Sequence, residues 1–203
     1  MASLRETNKA ARQQRILSAA TTLFRRKGFE PVKMGTIAKT AKVSVGTIYN
    51  YYRNKGDLLV AIVSLEVSEV LASGKSIITN PPADVFGAIN TLIENYISHS
   101  LVYLSKEMWR QAMAISTQQP ESPFGVAYGK LDDALSDQVC QLIKVLQQQG
   151  SIKPSVNARS VGELLFNNTD RMFINFVKSE KMTVKTLLAS IQRQNQTLID
   201  AIT

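Results

Sequence analysis

Apolar positions recur with a helical period along almost the whole chain. Ile16, Ala20, Leu23 and Phe24 share one face of a first helix. Arg25, Arg26 and Lys27 suit the negative end of that helix, and Gly28 can take the left-handed conformation that ends it. Ile37, Ala38 and Ala41 predict the inward side of a second, shorter helix, followed by a tight turn through Lys42 and Val43. Ser44 then offers a hydroxyl that can accept the free amides of a third helix. Ile48 and Tyr52 lie four apart and point inward, which leaves Val45, Gly46, Thr47, Tyr49 and Asn50 outside.

Beyond Arg53 the helices lengthen. Leu58–Leu71 reads as a mostly apolar helix, ended by a loop containing Gly74, Asn80, Pro81 and Pro82. Val85, Ile89, Leu92, Ile93, Tyr96, Ile97 and Leu101 form a regular i, i+3, i+4, i+7 series, and a shorter amphipathic stretch surrounds Trp109 and Met113. Pro120, Pro123 and Gly125 mark a break, and Leu131, Leu135, Gln138, Leu142 and Leu146 carry a long helix to Gly150. Two last helices are predicted at about 157–178 and 183–202. No alternating β-branched run and no Asn-Gly or Asp-Gly hairpin signal is present, so the fold class is all-α.

Charge sharpens this picture. Residues 1–57 carry 12 Lys or Arg against 3 Asp or Glu, whereas residues 58–203 carry 12 against 13. A positive field concentrated at one end attracts and orients a polyanion, while the same charge spread evenly would mainly serve solubility. The polar, basic stretch Met1–Arg15 has no apolar segment of a secretory signal, and no run approaches the ~20 apolar residues of a membrane helix. A single Cys excludes an internal disulfide. These features leave the bacterial or eukaryotic cytosol, or a nucleus, as the expected compartment, with no membrane partner.

Three short helices, with a tight turn before a third whose start is small, polar and aromatic, form a helix-turn-helix pattern. Gly46 leaves room for close approach, Thr47 can offer a hydroxyl or methyl to a base edge, and Val45 can meet a thymine methyl. Tyr49, Tyr51 and Lys55 suit phosphate, which fixes register without reading sequence.

Ile37-Ala38 and the run from Ala41 to Leu58, containing Ser44-Val45-Gly46-Thr47-Ile48-Tyr49-Asn50-Tyr51-Tyr52, resemble the DNA-binding signature of the TetR family of bacterial transcriptional regulators. The resemblance implies a helix-turn-helix DNA-binding domain at 1–57 and a helical ligand-binding and dimerisation domain at 58–203. It implies DNA contacts from Lys33, Thr36, Ser44, Val45, Gly46, Thr47, Tyr49, Asn50, Tyr51 and Lys55. Lys33 stands where the family often begins its second helix with Thr, and Lys42 where a Gly commonly makes the turn.

The expected function is sequence-specific regulation of transcription in the bacterial cytoplasm. A homodimeric repressor would hold a double-stranded palindromic operator and leave it on binding a small hydrophobic or amphipathic effector. The alternative is a helical dimeric interaction protein whose basic head meets another polyanion, such as RNA or an acidic protein. One apolar seam runs through Val184, Leu187, Leu188, Ile191, Leu198 and Ile199, another through Leu164, Leu165, Met172, Phe173 and Phe176. Two such helices per subunit would make a four-helix dimer bundle. Tyr96, His99, Tyr103, Met108, Trp109, Met113, Phe166 and Asp170 mix apolar surface with polar tips and are candidate pocket residues.

No catalytic constellation is evident, so no enzyme activity, cofactor or metal is expected. His99 and Cys140 are the only residues of their kinds and lack ligand spacing. Asp132, Asp133 and Asp137 read as a solvated acidic patch. Gly74-Lys75-Ser76 imitates the end of a phosphate loop, but Glu69 stands where the first Gly belongs and no strand precedes it.

Overall fold

A computed structural model describes residues 4–203, with side chains from residue 6 onward, so Met1–Ser3 of the expected first domain lie outside the described residues. These residues form nine helices and no strand. They are α1 (Leu4–Lys27), α2 (Met34–Thr40), α3 (Val45–Tyr49), α4 (Lys55–Thr79), α5 (Val85–His99), α6 (Lys106–Gln118), α7 (Pro123–Gln148), α8 (Ala158–Lys178) and α9 (Val184–Ile202).

Two compact units arise. The first runs through Leu65 and includes Tyr103–Tyr128; the second comprises Glu66–Val102 and Gly129–Thr203. Packing therefore does not divide the chain at 57/58, because the start of α4, all of α6 and the start of α7 belong with the N-terminal helices. The predicted face of α1 is fully buried at Ile16, Ala20 and Phe24, and the Phe24 and Phe29 ring centroids are 5.1 Å apart. α1 stops where expected: the Gly28 amide makes the last helical bond to the Phe24 carbonyl, and Gly28 itself has φ +80°.

In the second unit α8 packs on α9, and α5 on α9. Polar side chains cap the helices that the apolar pattern outlined. Asp84 accepts the Gly87 amide, Ser105 that of Met108, Asn157 that of Ser160 and Thr183 that of Thr186.

Both expected breaks form, after Thr79 and after Gln118, but three residues assigned to them lie in helices instead. Gly74 lies inside α4, which continues to Thr79. Its missing Cβ allows a close approach, since a Cβ there would collide with the Gln138 side chain and meet Leu92 at 3.0 Å. Pro123 is the first residue of α7, where its missing N–H costs nothing, and Ser122 accepts the Gly125 amide as the cap. Gly125 is thus helical too.

Candidate nucleic-acid interface

The turn between α2 and α3 forms as the sequence requires, with Lys42 as the one non-glycine residue of positive φ (+55°) among the described residues. A left-handed lysine is tolerated because the neighbours fix it. Ala41 before it is buried, and the Val43 amide bonds to the Ala38 carbonyl at 3.0 Å. Ser44 then caps α3, its Oγ accepting the Thr47 amide at 3.0 Å. Ile48 is fully buried and Tyr52 nearly so. Burial raises the Tyr52 phenol above its ordinary pKa.

These anchors leave an unusual surface. Val45 is 46% exposed and Tyr49 51% exposed, two large hydrophobic residues turned to solvent within one short helix. Gly46 and Asn50 are also exposed, Thr47 partly so. A Cβ on Gly35 would stand 4.0 Å from Val45 Cγ2, so the starts of α2 and α3 adjoin. Lys33, Thr36, Lys39 and Lys42 are exposed on the same two-helix unit. Lys33 occupies the N-cap of α2, where its ammonium, a donor only, makes no cap bond to the free amides.

The remaining expected contacts are placed differently. Tyr51 is half-buried, its ring centroid 6.4 Å from that of Tyr52. Lys55 does not display its ammonium: the Nζ donates to the carbonyls of Phe29 (3.0 Å) and Glu30 (2.7 Å) and lies 4.6 Å from the Phe29 ring centroid. Arg53 is held by Asp57 through Nε (3.0 Å) and Nη2 (3.3 Å). Burial alone would raise the Asp57 carboxyl, but hydrogen bonds from the Arg53 side chain and backbone outweigh it and hold the pKa below its usual value. Sequence reasoning missed the Asn54 cap, whose Oδ1 accepts the Asp57 amide, although Asn-x-x-Asp spacing signals it. It also missed Glu107, whose Oε1 accepts the Phe29 amide at 3.3 Å; nothing local in the sequence links residues so far apart.

The candidate pocket residues do not form one cluster within either unit: Tyr103, Met108, Trp109 and Met113 belong to the first and Tyr96, His99, Phe166 and Asp170 to the second. Met108 is fully buried and Trp109 nearly so. Tyr96 is committed through its hydroxyl to Gln138 Oε1 at 2.8 Å, and burial raises its pKa. His99 Nδ1 lies 2.7 Å from the buried Glu66 carboxylate and Nε2 3.3 Å from Glu69, so it is part of a polar network. Burial raises the Asp170 carboxyl.

Two further expectations need correction. Asp132 is not part of a solvated patch. Burial, with the neighbouring charges of Asp170 and Asp133, pushes its pKa up to about 7. Asp133 and Asp137 are exposed, and they line a polar depression of about 480 Å³ with Ser136, Arg159, Glu163 and Asn167. Of the nine residues placed on the dimer surface, Leu165, Phe173, Phe176, Leu187 and Ile191 are buried within the subunit, because α8 and α9 pack on each other. Leu164 is 56% exposed, and Met172, Leu188 and Leu198 are partly so.

A capped, exposed helix start beside a second short helix, within a strongly basic segment, defines a helix-turn-helix DNA-binding module. Residues 16–62 match the model of the bacterial regulatory proteins of the tetR family. The HTH-type transcriptional regulator UidR of Escherichia coli strain K12 is 26% identical over 168 residues, covering 81% of each chain. The fold is shared with a TetR-family transcriptional regulator of Pectobacterium atrosepticum (TM-score 0.76, 17% identity, covering 99% of this chain and 97% of that one). It is also shared with the Thermus thermophilus repressor FadR in complex with lauroyl-CoA (TM-score 0.66, 22% identity, 92% of each chain). Residues 16–62 are thus a DNA-binding segment of the kind found in the TetR family of bacterial transcriptional regulators, and over most of its length the chain is similar to regulators of transcription.

Proposed function

We propose that this chain is a homodimeric repressor that holds a palindromic operator with two copies of the α2–α3 module and releases it on binding a hydrophobic or amphipathic small molecule. Residues 1–57 would then serve DNA binding and 58–203 ligand binding and dimerisation. The observation that carries the reading is the exposure of Val45 and Tyr49 at the Ser44-capped start of α3, beside exposed lysines. Apolar groups held in water at a basic surface are suited to thymine methyls and groove walls. Thr47 and Gly46 would approach base edges, whereas Lys33, Thr36, Ser44, Tyr49, Asn50 and Tyr51 would fix register through the backbone.

A two-fold dimer reads successive major grooves when its recognition helices lie ~34–36 Å apart. An effector acts by preferring a different separation, and a preference of about 1–3 kcal/mol is typical of such coupling. Similarity to FadR, whose structure holds lauroyl-CoA, supports an amphipathic effector. The operator places the protein in the bacterial cytoplasm.

Selection of bound fragments from a random duplex pool tests this function. A repressor prefers one palindromic site to bulk DNA by about 10³-fold or more, with a steep salt dependence. Mass spectrometry of small molecules released on denaturing the purified protein identifies effector candidates for re-addition. Equal affinity for all duplexes would refute the reading.

A further inference from the structure

We infer that Lys55 and Glu107 are positioning residues for DNA binding, clasping the Phe29–Glu30 turn between α1 and α2. The inference rests on the operator-binding reading above. Both backbone groups of Phe29 are held by side chains from other helices. Glu107 at the start of α6 accepts its amide, and Lys55 at the start of α4 donates to its carbonyl. The same ammonium donates to the Glu30 carbonyl, and the Glu30 carboxylate lies 3.9 Å away.

An ammonium has three N–H donors, and two of these are spent on main-chain carbonyls in charge-assisted bonds. The Lys55 side chain is only 24% exposed. Removing the ammonium would strip partners from two carbonyls at once, one of them on a buried residue.

The clasped turn leads directly into α2. Lys33, three residues after Glu30, accepts the amides of Thr36 and Ile37 and so fixes where α2 begins; α2 in turn packs on α3. Glu107 adjoins the fully buried Met108, so α6 cannot shift without pulling on Phe29. α6 thereby gains a grip on the DNA-reading module.

The test compares the full-length chain with Lys55→Met, Lys55→Arg, Glu107→Ala and Glu107→Gln, using a palindromic duplex selected by the wild type and a random duplex over a range of KCl. Amide exchange at Phe29, followed by NMR without DNA, provides a second readout. Lys55→Met, which removes two charge-assisted bonds, and Glu107→Ala, which removes one, each speed Phe29 exchange and weaken the selected duplex by about ten-fold or more, while the Arg and Gln variants stay near wild type. The loss in Glu107→Ala is diagnostic, because removing an acid from a polyanion-binding protein would by its field alone strengthen binding.

Unchanged Phe29 exchange in Lys55→Met, with both duplexes weakened alike and the salt slope reduced by about one, would make Lys55 a phosphate contact alone and overturn its positioning role. Unchanged or tighter binding by Glu107→Ala would remove its positioning role. If the wild type selects no duplex, the operator reading fails. Phe29 exchange still decides the clasp in that case, and unchanged rates in Lys55→Met and Glu107→Ala overturn it.

Discussion

The hydroxyl of Ser44 lies 2.8 Å from that of Thr47 and also accepts the Thr47 amide at 3.0 Å, so one side chain both caps α3 and orients the residue best placed to read a base. The two positions therefore separate by experiment. Ser44→Ala removes the cap and lowers the stability of the N-terminal unit by about 1 kcal/mol, measured by denaturant unfolding. Thr47→Ala leaves stability within about 0.5 kcal/mol but relaxes sequence choice by about 1–3 kcal/mol at one base pair, measured by competition between selected and random duplexes. Equal loss on both duplexes would count against base contact by Thr47.

Glycines in the long helices differ in what surrounds them. A Cβ at Gly162 would stand 2.5 Å from Cys140 Cα and 2.8 Å from its amide nitrogen, where backbone must move. At Gly74 the obstacle is Gln138, whose carboxamide already serves Tyr96 and the Leu71 carbonyl. Gly162→Ala is expected to cost about 3 kcal/mol or more and Gly74→Ala about 1–3 kcal/mol. Gly129, inside α7 with nothing within 4 Å of a Cβ, gains about 0.5–1 kcal/mol as Ala. Thermal unfolding of the three variants checks the order.

Asp132 gives stability a pH dependence of definite sign. Its carboxyl, pushed up to about 7, lies above the ordinary range of an aspartate, so the fold favours the protonated form. The favourable contribution is complete below the unfolded pKa and is lost as pH rises through about 7. Asp132→Asn should thus stabilise the protein at pH 8 by about 1–3 kcal/mol, with the advantage shrinking towards pH 4. Unfolding across that range measures it, and a pH-independent difference would exclude the linkage.

Leu164 and Leu165 are neighbours with opposite surroundings, the first 56% exposed and the second fully buried. Leu164→Glu is expected to leave the fold intact and weaken self-association in analytical ultracentrifugation. Leu165→Glu buries an unpaired carboxylate and unfolds the second unit. Retention of the native association constant by Leu164→Glu would remove α8 from the proposed dimer surface.

The helices were legible because their signals are local. Ile16, Ala20 and Phe24 repeat with the period of a helix face, Ser44, Asn157 and Thr183 cap, and Gly28 terminates. The exposed set on α3 was legible for the same reason: burying Ile48 and Tyr52 turns Val45 and Tyr49 outward. Gly74 misled because glycine marks either a chain break or a close approach, and only Gln138 and Leu92, distant in sequence, distinguish them.

The sequence alone determined a basic helix-turn-helix head followed by a longer helical body, since period, caps and charge act over a few residues and survive any arrangement of the helices. Tertiary structure decided which groups meet. It drew Lys55 and Glu107 onto Phe29, half-buried Asp132 near the charge of Asp170, and turned five of nine supposed dimer residues into core. Burial and hydrogen bonding depend on elements brought together from distant parts of the chain, and no local pattern specifies that meeting.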